Sequence, residues 1–161
     1  MTPRVAGFKL EYPAGLRLEC MAGLVGIRSE WPDEAWKGWW GDWWGDNPPY
    51  HTPTLILTHH LRAPIVIEGG TTFHFVTDGI EAALAQAKAA AGDLEVKIGG
   101  GVSTVRQYLL AGAIDELHLA VSPIVLGRGE SLFAGIDLPG LGYRVAEAVP
   151  SELETHQVLT R

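Results

Sequence analysis

The sequence predicts an α/β protein with a mostly parallel sheet and an antiparallel C-terminal edge. Two observations carry this prediction. Strand-like runs alternate with helical patterns from residue 54 onward, and two strand-like runs follow each other directly at the end of the sequence. Strands separated by helices pair in parallel, whereas consecutive strands joined by a short turn pair in the antiparallel direction. With 161 residues and 47% hydrophobic residues, the chain has the size and apolar content of one domain.

The two predicted helices have the clearest local signals. Residues 79–91 are rich in Ala, with an apolar stripe at helical spacing, and Thr77 and Asp78 supply N-cap chemistry before them. Gly92 closes this helix. The second helix, over 102–111, directly follows a run of glycines.

Short runs rich in β-branched and aromatic residues predict the strands. The predicted strands cover residues 54–58, 65–67, 72–76, 95–98, 117–126, 143–149 and 154–160, with weaker candidates at 6–10 and 16–20. Residues 31–53 differ from the rest because they hold all six Trp, four of the ten Pro and a tandem Trp-Trp-Gly-Asp repeat. We interpret this segment as a loop. Its aromatic side chains either stack on a ligand or form a hydrophobic lid and dimer contact, and the structural role is favoured.

The composition argues against several classes of partner. Lys and Arg number 12 against 19 Asp and Glu, a net charge of -7, and no basic cluster indicates nucleic-acid binding. The apolar runs are far shorter than a membrane span, charged residues interrupt any signal-peptide core, and the single Cys20 cannot form an internal disulfide. We therefore expect a soluble, cytoplasmic protein. No metal is expected, because the six histidines lack ligand spacing: they are His51, His59, His60, His74, His118 and His156.

The strongest functional signal is the junction between the strand at 95–98 and the following helix. Gly99, Gly100 and Gly101 allow a ligand to approach the backbone closely, and a helix N-terminus presents N–H groups to an anion. Ser103 and Thr104 add hydroxyl groups to the first helical turn after Val102. The pattern favours a phosphate site, but it is also compatible with a tight strand-to-helix turn without a ligand.

Several motifs occur in a fixed order along the chain. They include Trp36-Lys37-Gly38-Trp39-Trp40-Gly41-Asp42, Leu57-Thr58-His59-His60, Glu68-Gly69-Gly70, Ile98-Gly99-Gly100-Gly101, Ile114-Asp115-Glu116-Leu117, Ser122-Pro123 and Leu126-Gly127-Arg128-Gly129. Together, over residues 29 to 160, they resemble the dihydrofolate reductase family in the branch of the riboflavin-biosynthesis reductase C-terminal domain. The resemblance implies one dihydrofolate-reductase-like domain over 1–161, a three-layer α/β/α fold. Within it, residues 1–28 diverge from the family and residues 54–161 form the conventional core.

The resemblance also implies NADPH as cofactor and a small heterocyclic, carbonyl or imine compound as substrate. Gly99, Gly100, Gly101, Val102, Ser103 and Thr104 would hold the pyrophosphate. Thr58, His59 and His60 would lie beside the adenosine ribose and its 2′-phosphate. The apolar strand at 117–126 and the Trp-rich loop further lead us to expect a homodimer.

The sequence departs from the family pattern near its beginning. The family starts with a strand that carries a Ser-Leu-Asp-Gly-type element and continues to a Gly-Arg turn, and residues 1–28 contain neither. Met21-Ala22-Gly23 is at best a remnant of that turn. Gly99 stands where the riboflavin reductases tend to carry a substrate-binding Glu. Two functions therefore remain open: an NADPH-dependent reductase, and a non-catalytic member that binds nucleotide or acts as a dimeric interaction module.

Overall fold

The structure is a computed structural model, and it describes residues 20–26 and 51–161. The described residues form two compact units, one with residues 20–26 and 51–105 and the other with residues 106–161. We call them the parallel-sheet unit and the antiparallel unit. No helix in the described part of the chain is long and apolar enough to cross a membrane.

The parallel-sheet unit is built on five strands in the order β3-β4-β2-β1-β5. Strand β3 is antiparallel to β4, and the other neighbours run parallel. Leu55 and Ile56 are consecutive and both buried, so β2 is covered on both faces, as is typical of a central parallel strand. The five strands are β1 (Cys20–Gly26), β2 (Pro53–Leu57), β3 (Ile65–Val66), β4 (Thr72–Val76) and β5 (Glu95–Gly100).

Helix α1 (Gly79–Ala91) packs across β1 and β2 through small side chains. Its buried residues are Ala83, Ala87 and Ala91, which recur every four positions and so share one face. The helix ends where the Gly92 N–H donates to Lys88 O at 3.0 Å. The predicted bounds are confirmed. Asp78 does occupy the N-cap position, but its side chain makes no capping hydrogen bond, so the predicted capping chemistry is wrong.

Helix α2 (Val102–Leu110) follows β5, and the boundary between the two units falls within it. The antiparallel unit continues with β6 (Glu116–Val121), β7 (Arg144–Pro150) and β8 (Thr155–Thr160), in the order β6-β8-β7 with every pairing antiparallel. Leu117 and Leu159 pair across β6 and β8, and both are buried.

Two side chains tie the connections of the antiparallel unit to its regular elements. The Tyr143 hydroxyl is buried and donates to Ile114 O at 2.6 Å. The Arg106 guanidinium on α2 donates to Leu132 O and Ala134 O, each at 2.8 Å. Charge-assisted hydrogen bonds of this kind are the stronger ones, so Arg106 fixes the turn at 131–134.

Three expectations need correction. Residues 20–26 form strand β1 between β2 and β5, so Met21-Ala22-Gly23 lies within a strand and is not a turn remnant. The strand predicted over 117–126 ends at Val121, because Ser122 and Pro123 interrupt it and Pro has no N–H to pair. The C-terminal strands form a sheet of their own and do not edge the parallel sheet.

The remaining strand predictions match the structure within one or two residues. Strands β4 and β8 differ from their predicted bounds by at most one residue. The three-layer arrangement and the single domain stay predictions. The strand candidates at 6–10 and 16–19, and the Trp-rich loop up to residue 50, lie outside the described residues.

Candidate functional site

The candidate site lies at the carboxyl edge of the parallel sheet, where open α/β sheets bind their ligands. Strand β1 lies between β2 and β5, and all three run parallel. Gly26, the last residue of β1, pairs with Gly100, the last residue of β5. The glycine run at the end of β5 and the Thr58 turn after β2 are therefore two strand spacings apart, roughly 10 Å. The sheet brings together the two segments that the resemblance assigned to one cofactor.

The glycine run forms the turn from β5 into α2. Gly99 and Gly100 extend β5 beyond its predicted end at Ile98, and Gly101 is the N-cap residue, because its carbonyl accepts the Val105 N–H at 3.2 Å. A Cβ added to Gly101 would meet no heavy atom of the described residues within 4 Å. Among these residues the space in front of the helix N-terminus is therefore open to a ligand.

The first turn of α2 favours an anion. Its N–H groups have no acceptor within the helix and carry the positive end of the helix dipole, and no acidic residue occupies the turn. Ser103 is exposed, Val102 is half-buried, and Thr104 is buried with 9% of its surface accessible. Of the three residues predicted to hold a phosphate here, Ser103 presents its side chain to solvent. Val102 has an apolar side chain, so it can bind the phosphate only through its backbone N–H.

The turn after β2 is stabilised by Thr58 itself. The Thr58 N–H donates to Val76 O at 3.1 Å, and the Thr58 hydroxyl accepts the His60 N–H at 2.9 Å. Because Thr58 is also buried, its hydroxyl shapes the turn. His59 and His60 are exposed and are the predicted residues that this turn presents to solvent.

Arg62 is a candidate that the sequence reasoning missed. Its guanidinium carbon lies 5.3 Å from the centre of the Phe75 ring, which is a cation–π distance, and the side chain is half-buried. It places a permanent positive charge two residues after His60. The sequence does contain one sign that Arg62 could bind an anion. Arg62 is the one charged residue between positions 53 and 67, and this stretch contains no Asp or Glu.

Both loops of the candidate site are therefore poor in negative charge. Residues 96–114 also contain no Asp or Glu, whereas Lys97 and Arg106 lie within them. Asp78 follows the next strand, β4, on the far side of β2 from the glycine run. The charge distribution favours an anion at the ends of β2 and β5.

Two groups that could supply chemistry, a metal cluster and the Tyr108 phenol, are considered among the described residues. Among the residues that the structure describes, no group of three His, Cys, Asp or Glu side chains could hold a metal ion. Burial raises the pKa of Tyr108 on α2 to about 12. This phenol is therefore neutral at physiological pH, and it is fully buried, so it does not serve as a proton donor to a ligand.

Comparisons with known proteins identify the fold. The family model described as the RibD C-terminal domain matches residues 9–156. The structure resembles the "Putative riboflavin biosynthesis protein" of Shewanella sp. PV-4, with a TM-score of 0.62 and 18% sequence identity, over 94% of this chain and 83% of that one. A search of curated protein sequences finds no match.

Two further similar structures are longer proteins. The diaminohydroxyphosphoribosylaminopyrimidine deaminase/5-amino-6-(5-phosphoribosylamino)uracil reductase of Thermotoga maritima has a TM-score of 0.57 and 14% identity, over 88% of this chain and 45% of that one. Acinetobacter baumannii RibD has a TM-score of 0.52 and 13% identity, over 88% and 46%. The chain thus spans less than half the length of these two proteins. At such identities the likeness shows the fold, which is dihydrofolate-reductase-like, and the family match shows that the chain belongs to the RibD C-terminal domain family.

Proposed function

We propose that this chain is an NADPH-dependent reductase that transfers hydride to a small heterocyclic, carbonyl or imine substrate. The observation that carries the proposal is the open N-terminus of α2, which follows a glycine run at the carboxyl edge of a parallel sheet. The Thermotoga relative carries a reductase activity in its name, and that activity acts on a phosphoribosylamino-pyrimidine. Family membership makes the same class of reaction the best candidate here.

The residues present fit a dinucleotide phosphate. Gly101 leaves open space beside the helix N-terminus, where Gly99, Gly100 and Gly101 would hold a pyrophosphate and the N–H groups of Val102, Ser103 and Thr104 would donate to it. A Cβ at Gly101 would fill part of that space. The ligand needs no side-chain cation at this position, since the helix N-terminus supplies the positive potential.

The second loop fits the 2′-phosphate that distinguishes NADPH from NADH. His59 and His60 are exposed there, and Arg62 adds a permanent charge held against Phe75. Thr58 would act indirectly, by fixing the turn through its bond to the His60 N–H. Arg and protonated His form charge-assisted hydrogen bonds with phosphate, which are about twice as strong as neutral ones.

The bound cofactor would supply the hydride, and the chain would position it. In the overall reaction a C=N or C=O bond gains the hydride at carbon and a proton at the heteroatom, while NADPH becomes NADP⁺. The described residues include no group that we assign to proton donation.

The test is calorimetric titration of the protein with NADPH and with NADH, followed by an absorbance assay at 340 nm with candidate pyrimidine and imine substrates. We expect saturable binding of NADPH that is at least tenfold tighter than that of NADH, as one charge-assisted contact would give. Absence of NADPH binding would refute the reductase. Binding without turnover of any substrate would favour the alternative, a non-catalytic member of the family that binds nucleotide.

A further inference from the structure

An apolar surface lies at one end of the antiparallel unit, and we call it the apolar tip. Strand β6 ends where Val121 pairs with Thr155, the first residue of β8. The loop at 122–130, which leaves β6, and the turn at 151–154, which enters β8, therefore begin side by side at this end of the sheet. The tip consists of the exposed side chains of Val121, Ile124, Val125, Leu126 and Leu153.

Both segments that carry the tip are anchored close to it. Just beyond the loop, the Arg106 guanidinium donates to Leu132 O and Ala134 O, each at 2.8 Å. In the hairpin turn, the Ser151 N–H donates to Glu154 O at 2.8 Å, and the Ser151 hydroxyl accepts the Glu154 N–H at 3.2 Å. Anchored segments lose less conformational entropy when a partner covers them, which favours association.

The exposure of the tip suits a macromolecular partner better than a small molecule. Val125 is 97% exposed, and Ile124 and Leu126 on either side of it are 69% and 79% exposed. A small-molecule site is concave and encloses most of its ligand, so its lining residues are partly covered by one another. Consecutive apolar side chains that stand out into solvent are instead typical of a contact with another protein.

The charged residues that border the tip have both signs. Arg128 and Glu130 follow the apolar part of the loop, Glu152 lies in the hairpin turn, and all three are exposed. Residues 122–127 contain no charge, so an apolar centre has a polar rim, as protein interfaces do. A surface of a single charge would match only one sign of this rim. A second copy of the chain offers an acidic group to Arg128 and a basic group to Glu152, so it is the complementary partner.

We propose that the apolar tip is the interface of a two-fold symmetric homodimer, in which the loop at 122–130 of one copy packs against the turn at 151–154 of the other. A two-fold axis makes every contact occur twice, with the two copies exchanged. Arg128 of one copy then faces Glu152 of the second copy, and the same pair forms again across the axis. The apolar side chains are buried between these two pairs. This interface does not rest on the proposed reductase function.

Reversal of the two charges in separate variants tests this pairing. In its own homodimer, Arg128→Glu brings two carboxylates together at each rim contact, and Glu152→Arg brings two guanidinium groups together. We expect the dimer dissociation constant of each variant, measured by sedimentation at low salt, to rise roughly tenfold or more. When the two variants are mixed, a heterodimer of wild-type affinity should form, because both rim contacts then join opposite charges.

Arg144→Glu is the matched control for the change in net charge. Arg144 is exposed and pairs with Thr160, at the end of the sheet away from the tip, so this variant should dimerise like the wild type. Native mass spectrometry separates the heterodimer from the two homodimers, because the two variants differ in mass. Equal amounts of heterodimer and homodimers at the statistical ratio, with no gain in affinity on mixing, would overturn the pairing of Arg128 with Glu152.

A second comparison does not depend on charge reversal and serves if either reversed variant fails to fold. Leu153→Lys at the tip should give a monomer, whereas Val145→Lys should remain a dimer. Val145 is also an exposed apolar residue, but it pairs with Leu159 towards the other end of the sheet. A Leu153→Lys dimer as tight as the wild type would overturn the proposal, and so would a wild-type protein that is monomeric at micromolar concentration.

Discussion

Substitution of Gly101 can separate ligand binding from folding. The affinity for a dinucleotide should fall, whereas the free energy of unfolding should rise slightly. Gly101 is the N-cap residue of α2, and a Cβ there meets no heavy atom within 4 Å in the part of the chain that the structure describes. Asp and Asn are better N-cap residues than Gly by a few tenths of a kcal/mol. We therefore expect Gly101→Asp and Gly101→Asn to raise the free energy of unfolding slightly, while both reduce dinucleotide binding.

The two variants should differ in how much binding they lose. The new side chains are nearly equal in size, but Asp adds a negative charge roughly 6 Å from a phosphate bound at the helix N-terminus. At an effective dielectric constant of about 20 this repulsion costs about 3 kcal/mol, or roughly 100-fold in affinity. Gly101→Asn should lose less than tenfold, since it fills space without adding charge.

Calorimetry with NADPH at low and high salt measures this difference, and urea unfolding measures stability. The gap between the Asp and Asn variants should narrow as salt screens the exposed charge. Gln86→Glu on the exposed surface of α1 is the control for a general effect of one more negative charge, and its affinity should match the wild type. Equal NADPH affinities for the Asp and Asn variants at low salt would refute the placement of phosphate at α2.

Three further predictions concern other parts of the molecule. Arg62→Gln should weaken NADPH binding about tenfold and leave NADH binding within twofold, measured by calorimetry; equal losses for both would remove Arg62 from the 2′-phosphate site. Because the pKa of Tyr108 is raised to about 12, the free energy of unfolding should fall by roughly 2 to 3 kcal/mol between pH 10 and pH 12, since the phenol of the unfolded chain ionises first. Urea unfolding of Tyr108→Phe should lack this fall, and identical pH profiles for the variant and the wild type would contradict the prediction. The exposed apolar side chains Val121, Ile124, Val125, Leu126 and Leu153 should form a homodimer contact, so light scattering should show a dimer that Val125→Lys converts to monomer; a wild-type monomer at micromolar concentration would contradict this.

The elements that sequence predicted well are those whose signals are local. Helix α1 was predicted with its observed bounds, because an Ala-rich stripe at helical spacing and a closing Gly92 act within one segment. The glycine run before α2 was likewise recognised as a strand-to-helix turn. The sequence did not predict how this glycine run pairs. Strand β5 continues to Gly100 because Gly100 pairs with Gly26 of β1, which lies 74 positions earlier in the sequence.

Strand β1 was missed because its sequence carries little strand signal. Cys20–Gly26 contains two glycines and one β-branched residue, Val25, yet it pairs with a strand on each side, β2 and β5. Pairing with two neighbours satisfies its backbone groups whatever its side chains prefer, so tertiary context overrides propensity.

Contacts between side chains that are distant in sequence depend on strand register, which local patterns do not encode. His118 and His156 are 38 residues apart, and their rings meet because β6 and β8 pair in one particular register. A slip of one residue would send one ring to the opposite face of the sheet. Arg62 reaches Phe75 in a similar way, from the connection after β2 to the neighbouring strand β4. Sequence could therefore name the loops that carry charge and hydroxyl groups, whereas the pairing of strands decides which of those groups act together.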